Sequence, residues 1–217
     1  MYKNVFFDLD GTLLMTIHDI AIAINEALAS AGLPYHYQDE EVVRFIGNGA
    51  RVLVKKALRE KGDDEAILNK VESLYMPLYR KYQNDHAKPF DGMVETLVEL
   101  KHSGVRLFVV TNKPHELADF IVHDHFDDLF LEVLGAKEGT PLKPNPYQVN
   151  ELVDKYGLNR NESLYVGDSY VDIDTGDNAG MDVVLCGYGY GVYDESNVAR
   201  AKFFIGKPAE LKAIVLG

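Results

Sequence analysis

The sequence predicts an α/β fold, a parallel sheet with helices on both faces, interrupted by an all-helical insert. Three observations carry this reading. From about residue 88 onward, short apolar runs alternate with amphipathic stretches, the rhythm of strand–helix–strand crossovers. Residues 15–84 show helical spacing only, with no strand among them. The first apolar run, Val5–Phe7, is cut off from the later strands by that whole segment. The core is therefore expected from residues 1–14 and 85–217, and a compact inserted module from residues 15–84.

Taken in order, Val5, Phe6 and Phe7 suit a buried strand, which ends in Asp8-Leu9-Asp10-Gly11-Thr12. Ile17, Ile20, Ala21, Ile24, Ala27 and Leu28 then recur at helical spacing, with Asp19 and Glu26 off that stripe, until Gly32 and Pro34 stop the helix. Two shorter segments, Asp39–Ile46 and Val52–Leu58, flank a Gly-Asn-Gly break at 47–49. A long helix follows over Glu65–Tyr82, with Ile67, Leu68, Val71, Leu74, Tyr75, Leu78 and Tyr79 on one face. In the second half, helices are expected at Gly92–Ser103, Pro114–Asp124, Asn145–Tyr156, Val171–Ala179 and Pro208–Val215. Strands are expected at Val105–Val110, Leu131–Leu134, Ser163–Val166, Asp182–Cys186 and Phe203–Ile205. Gly157 and Gly180 suit helix C-caps. Gly187–Val192 (GYGYGV) lacks the third glycine of a dinucleotide-binding turn and is read as a loop.

Composition narrows the function classes. With 47 % hydrophobic residues in 217, a sizeable core is available. A net charge of −12 and a pI near 5.0 argue against nucleic acid and anionic membranes as partners. No apolar run approaches the ~20 residues of a membrane span, and no secretory leader pattern opens the chain. The single cysteine, Cys186, excludes an intramolecular disulfide and reads as a core residue. Together these features lead us to expect a cytoplasmic protein.

The chemistry lies at the strand ends, where open parallel sheets bind ligands. Asp8 and Asp10 follow the first strand and share a face if the chain is still extended. Thr111-Asn112-Lys113 follows the second, and Gly167-Asp168-Ser169 follows a later one, with Asp172 one helical turn on. Lys143 sits just before a helix start, in Leu142-Lys143-Pro144-Asn145-Pro146. One edge of the sheet would then gather four carboxylates, a hydroxyl and an ammonium group. Two unit charges 4 Å apart at an effective dielectric near 20 repel by about 4 kcal/mol, so bare acids cannot crowd together. A hard divalent cation removes the difficulty. Oxygen donors without nearby His or Cys favour Mg²⁺ over zinc. One metal, one lysine and one hydroxyl around an exposed Asp are what phosphoryl transfer requires.

Asp8-Leu9-Asp10-Gly11-Thr12-Leu13, Thr111-Asn112, Lys143-Pro144 and Gly167-Asp168-Ser169 with Asp172 resemble, in order and spacing, the four motifs of the haloacid dehalogenase superfamily of phosphatases. The insert resembles the α-helical cap of one subgroup, and Phe45-Ile46-Gly47-Asn48-Gly49 with Leu53 resembles its phosphoglycolate phosphatase branch. The resemblance implies a Rossmann-like core and a phosphoric monoester hydrolase acting on a small phosphoester through an aspartyl-phosphate. It implies Asp8 as nucleophile and Mg²⁺ ligand, and Asp10 as general acid and base whose backbone carbonyl also binds the metal. It further implies Thr111 and the Asn112 backbone as phosphoryl-binding groups, Lys143 as the neutralising amine, Asp168 as a metal ligand, and Asp172 as an acid orienting a metal-bound water. Met15-Thr16, where many relatives have Asp-Ser, departs from the pattern, as do Asp174, Gly176 and Asp177 after Asp172.

Simpler readings stand beside several of these. Thr111 also suits a cap for the next helix, and Asp172 a first-turn acid complementing a helix dipole. Gly47 and Gly49 fit either a plain turn or a loop whose backbone approaches substrate. Arg44 and Arg51 fit a solvated face better than a carboxylate grip. Tyr75, Tyr79 and Tyr82 read as packing, and His115, His123 and His125 as helix surface. Two other functions suit the scaffold, a sugar-phosphate mutase and a non-catalytic phosphometabolite-binding regulator. Monomer and homodimer are equally compatible with the sequence.

Overall fold

The computed structural model describes residues 1–191 and 195–217; Val192, the last residue of the expected glycine-rich loop, lies outside them. The chain forms two compact units, residues 1–14 with 89–217, and residues 15–88. The first unit begins with strand β1 (Asn4–Phe7), and the chain leaves it along β2 (Leu14–Met15). Helices α1 (Ile17–Ser30), α2 (Asp39–Val42), α3 (Ala50–Ala57) and α4 (Glu65–Tyr82) make up the insert. The chain returns along β3 (Lys88–Pro89), which pairs with β2. Then follow α5 (Met93–His102), β4 (Arg106–Pro114), α6 (His115–Phe126), β5 (Glu132–Ala136), α7 (Tyr147–Tyr156), β6 (Ser163–Gly167), α8 (Tyr170–Ala179), β7 (Asp182–Cys186), α9 (Glu195–Arg200), β8 (Phe203–Ile205) and α10 (Leu211–Leu216).

Six of the strands form one sheet in the order β5-β4-β1-β6-β7-β8, with every pair parallel. The α/β class expected from the sequence is the one observed. β1 lies inside the sheet, between β4 and β6, and Val5, Phe6 and Phe7 are fully buried. Phe6 lies opposite Phe108 of β4 and Tyr165 of β6, and the rings of Phe6 and Phe108 stack at 4.9 Å. Side chains alternate across a strand, so Phe6, Phe108, Val110 and Tyr165 share one face. They pack there with Val149, Leu152 and Val153 of α7 and Ile173 and Ala179 of α8. Phe7 points to the other face and meets Phe130 at 5.9 Å, which in turn meets Phe126 of α6 at 5.6 Å. Each such burial contributes about 1.5–3 kcal/mol, and helices cover both faces as a parallel sheet requires.

Several element bounds differ from expectation. β4 does not stop at Val110 but runs on to Pro114, so Thr111-Asn112-Lys113 is strand with an irregular pairing to β5, not the loop after a strand. Helix α7 starts at Tyr147 and not Asn145, and the closing segment splits into a 3-10 turn, Pro208–Glu210, before α10. In the insert, the helix at 39 ends at Val42, four residues earlier than expected.

The insert is held by α1 packed against α4, with Ile20, Ile24 and Leu28 buried on one and Leu68, Val71, Tyr75 and Tyr79 on the other. Tyr75 and Tyr79 stack at 5.4 Å, a packing role as expected. Asp64 caps α4 by accepting from Ala66 N and Ile67 N at 2.9 and 3.2 Å. Asp19, placed off the apolar stripe by its spacing, is nonetheless fully buried. Its carboxylate accepts the backbone N–H groups of His86 and Ala87 at 3.0 and 2.9 Å, and it meets His86 Nδ1 at 2.7 Å. The carboxylate thus ties the last residues of the insert to its first helix. Among the described residues, no helix is long and apolar enough to cross a membrane.

Replacing Asp19 with Ala leaves buried donors without an acceptor, so the variant is expected to lose about 1–3 kcal/mol of stability. Urea unfolding followed by circular dichroism measures it, and an unchanged midpoint would mean that water replaces the carboxylate at no cost.

Candidate active site

Asp8 continues the β1 ladder, its N–H donating to Val166 O at 2.9 Å. The chain then turns sharply: Leu9 O accepts from Thr12, Leu13 and Leu14 N at 3.2, 2.9 and 3.1 Å. Gly11 sits at φ +88°, which favours glycine. Leu9 is fully buried. Its neighbours Asp8 and Asp10 project from the opposite side, as period-two alternation requires. β4 brings in Thr111, Asn112 and Lys113, all buried, and β6 and α8 bring in Asp168 and Asp172.

Lys143 is the hub. Its ammonium, in a side chain only 2 % exposed, lies 2.8 Å from Asp8 Oδ1 and 2.7 Å from Asp172 Oδ1. Asn112 delivers it there: Asn112 Nδ2 donates to Lys143 O at 3.1 Å, and Lys143 N donates to Asn112 Oδ1 at 2.8 Å. The Asn112 side chain is therefore committed to the Lys143 backbone. Asp172 is saturated. Beyond Lys143, its Oδ2 accepts from Asp168 N, Ser169 N and Ser169 Oγ at 3.2, 3.0 and 2.7 Å. It is a capping-box acid at the start of α8 and a partner of Lys143 at once. Asp168 Oδ1 accepts from Thr12 Oγ1 at 3.1 Å, and its Oδ2 from Tyr190 N and Gly191 N at 2.7 and 3.2 Å. A Cβ on Gly189 would fall 2.3 Å from Asp168 Cβ, so only glycine lets that loop approach so closely. On the remaining side, Asp10 Oδ1 lies 3.2 Å from the buried ammonium of Lys113.

The electrostatics follow from burial. Desolvation pushes the Asp8 carboxyl from 3.8 up to about 6, with Lys143 pulling the other way. Desolvation, then Asp172 and Asp8, hold Asp168 well above the usual carboxylate range. Burial also opposes the charge on Lys143, but Asp172 and Asp8 outweigh it and keep the amine protonated, well above its ordinary value. Oxygens of Asp8, Asp168 and Asp172 come within 4.8 Å of one another, with no sulfur or imidazole in the group. Since Asp172 is already saturated, Asp8 and Asp168 are left to face a cation. An all-oxygen donor set with surplus negative charge fits a hard divalent ion.

The structure thus brings Asp8, Asp10, Thr111, Asn112, Lys143, Asp168 and Asp172 to one edge of one sheet. Thr111 does not cap α6, whose cap position is Pro114; its hydroxyl accepts Lys113 N at 3.2 Å. Gly47 and Gly49 belong to the other unit, at φ +96° and +86°. Arg51 is engaged there by Glu72, by Glu65 at 2.5 Å and by Asn69 at 3.0 Å, which matches a structural role. Arg44 has an exposed side chain and accepts Lys56 Nζ at its carbonyl at 2.9 Å. Three contributors were missed from sequence: Lys113, Thr12 and the backbone N–H groups of Tyr190 and Gly191. Lys113 could have been found by carrying the strand three residues further, which puts it on the face of Thr111.

The profile of the haloacid dehalogenase-like hydrolase family matches residues 5–186. The chain belongs to this family. Similarity to individual members extends over nearly the whole chain. A phosphoglycolate phosphatase of Vibrio parahaemolyticus is 32 % identical over 219 residues, covering 98 % of this chain and 96 % of the relative. One from Haemophilus influenzae is 36 % identical over 196 residues, 87 % of each. A crystal structure from Lactobacillus delbrueckii subsp. bulgaricus, itself only provisionally assigned as a phosphoglycolate phosphatase, superposes with a TM-score of 0.91. It shares 29 % identity and covers 100 % of this chain and 99 % of its own. The haloacid dehalogenase-like fold and the enzyme class expected from the motifs, a phosphoric monoester hydrolase, both stand.

The raised Asp8 has a measurable consequence. Because its folded-state pKa of about 6 exceeds its unfolded value of 3.8, its contribution to stability is intact below about pH 4 and lost as pH rises through about 6. In chelator-treated protein, Asp8→Asn is therefore expected to gain stability relative to wild type across that window, by up to about 3 kcal/mol. Thermal melts of both proteins at matched pH test this, and a pH-independent difference would contradict it.

Proposed function

We propose that the chain is a Mg²⁺-dependent phosphatase of a small metabolite phosphomonoester, phosphoglycolate foremost, working through an aspartyl-phosphate on Asp8. The single observation that carries this reading is the Lys143 ammonium set between Asp8 and Asp172. An anionic nucleophile can meet an anionic ester only where their repulsion is masked. The relatives' activity on phosphoglycolate supports the substrate class.

A carboxylate oxygen of Asp8 attacks phosphorus, the bond to the leaving oxygen breaks, and Asp10 gives that oxygen its proton. Water then attacks the phosphorylated Asp8, Asp10 takes a proton from it, and the Asp8–phosphorus bond breaks to release inorganic phosphate. The Thr111 hydroxyl and the Asn112 backbone hold the phosphoryl oxygens. Lys143 stabilises the charge that develops on them. Asp172 keeps Lys143 in place, a different role from orienting water. When bound, Mg²⁺ would be held by Asp8, Asp168 and the Asp10 carbonyl and would neutralise the phosphoryl charge. Residues 15–88 are proposed as a cap, with the Gly47–Gly49 turn facing substrate.

Asp8→Asn is expected to lower kcat by at least about 10³-fold, and EDTA to abolish activity until Mg²⁺ is restored. The assay is phosphate release from phosphoglycolate, sugar phosphates, nucleotides and pyrophosphate. Retained turnover in Asp8→Asn would remove the nucleophile assignment, and isomerised sugar phosphate without phosphate release would make the protein a mutase. Bulky residues at Gly47 and Gly49 are expected to change the ranking of substrates more than they change p-nitrophenyl phosphate turnover; equal loss on every ester would make the turn purely structural.

A further inference from the structure

The site holds a second ammonium group that the reaction above does not use. Lys113 is the third residue past the apolar stretch of β4, and its side chain is 1 % exposed. Its Nζ lies 3.2 Å from Oδ1 of Asp10, which is 18 % exposed and separated from it by 103 residues in the chain. Burying an ammonium costs several kcal/mol unless it is paired and hydrogen-bonded. A surface lysine would not be carried inward by a strand without a reason. Its near neighbours are otherwise provided for: Lys143 serves Asp8 and Asp172, and Thr12 with the Tyr190 and Gly191 N–H groups serves Asp168. Asp10 is the acid of the four that receives its cation from β4.

We propose that Lys113 is a positioning residue for Asp10, directing proton transfer to the leaving oxygen. This rests on Asp10 acting as the general acid. The hydrogen bond from Nζ to Oδ1 fixes the rotamer of the carboxyl group and leaves Oδ2 to carry the proton. When that proton passes to the leaving oxygen, Asp10 becomes a carboxylate facing a fixed ammonium, and the charge left behind is stabilised where it forms. In the hydrolytic half, the same contact holds the carboxylate that takes a proton from water. No proton leaves Lys113 at any stage.

The part Lys113 plays in the hydrolytic half is common to every ester, so its part in the first half shows as an excess loss that grows with how much the leaving group needs a proton. An alkoxide, as from phosphoglycolate, needs one; p-nitrophenolate does not. The test compares kcat for phosphoglycolate and p-nitrophenyl phosphate in wild type, Lys113→Met, Lys113→Arg and Asp10→Asn, all Mg²⁺-loaded. General acid catalysis contributes on the order of 10²-fold or more. Lys113→Met is expected to lose at least about tenfold more on the alkyl ester than on the aryl ester, in kcat and not KM. Lys113→Arg, which keeps the charge, is expected to recover most of that difference. In an Asp10→Asn background, Lys113→Met should add no further selectivity. Equal losses on both esters in Lys113→Met would overturn the proposal. If Asp10→Asn itself loses both equally, the general-acid assignment fails and takes this inference with it, an outcome distinct from Lys113 failing alone. Should Lys113→Met not fold, Lys113→Gln carries the same comparison.

Discussion

Mutual repulsion among four acids at one sheet edge is the constraint on which the rest of this structure depends. Asp8 and Asp10 come from the turn after β1, Asp168 from the end of β6 and Asp172 from α8, and each has its own answer to its neighbours. Asp8 and Asp172 share Lys143. Asp168 takes a hydroxyl and two backbone N–H groups, and Asp10 takes Lys113. The carboxyls of Asp8 and Asp168 remain raised even so. That surplus of negative charge suits a divalent cation, which would in turn mask the acids from an anionic phosphoryl group.

The sheet makes this arrangement possible. β1 sits between β4 and β6, so the three strand ends that carry the chemistry are adjacent although the sequence separates them widely. From β1 the chain winds outward through β4 to β5 and then crosses to β6 on the other side of β1, and this reversal opens a crevice for ligands. Close approach then falls to glycine. Gly11 and Gly189 both crowd Asp168, and Gly167 leaves room for Asp172, whose side chain would lie 2.2 Å from an added Cβ. The Asn112 side chain, clamped on the Lys143 backbone, converts a loop residue into a fixed part of the site.

The insert folds on its own terms, around the α1–α4 pair, and closes its ends through Asp19. Arg51 illustrates how a plausible substrate contact resolves into an internal one: Glu65, Asn69 and Glu72 already surround it.

Much of this was legible in the sequence. Apolar periodicity marks β1, the crossovers and the helical insert, and the acids at strand ends announce themselves because a buried strand has no other use for them. The motif residues Asp8, Lys143 and Asp168 could be placed together before any coordinates, since ligands of open parallel sheets bind beyond the carboxyl ends of the strands. The sequence could not show where β4 ends. Its apolar signal stops at Val110, whereas the strand continues through Thr111, Asn112 and Lys113, whose polar groups are buried by partners from β1 and the 143 loop. Nor could it show the pairing of Lys113 with Asp10, the saturation of Asp172, or the two amides of the glycine-rich loop that hold Asp168. Backbone N–H groups leave no mark on composition, and which charge meets which is decided by three-dimensional proximity between residues far apart in the chain. The sequence alone determined which chemistry could assemble; only the tertiary structure decided which acid each cation serves, because Coulomb and hydrogen-bond partners depend on distances of about 3 Å that no spacing rule encodes.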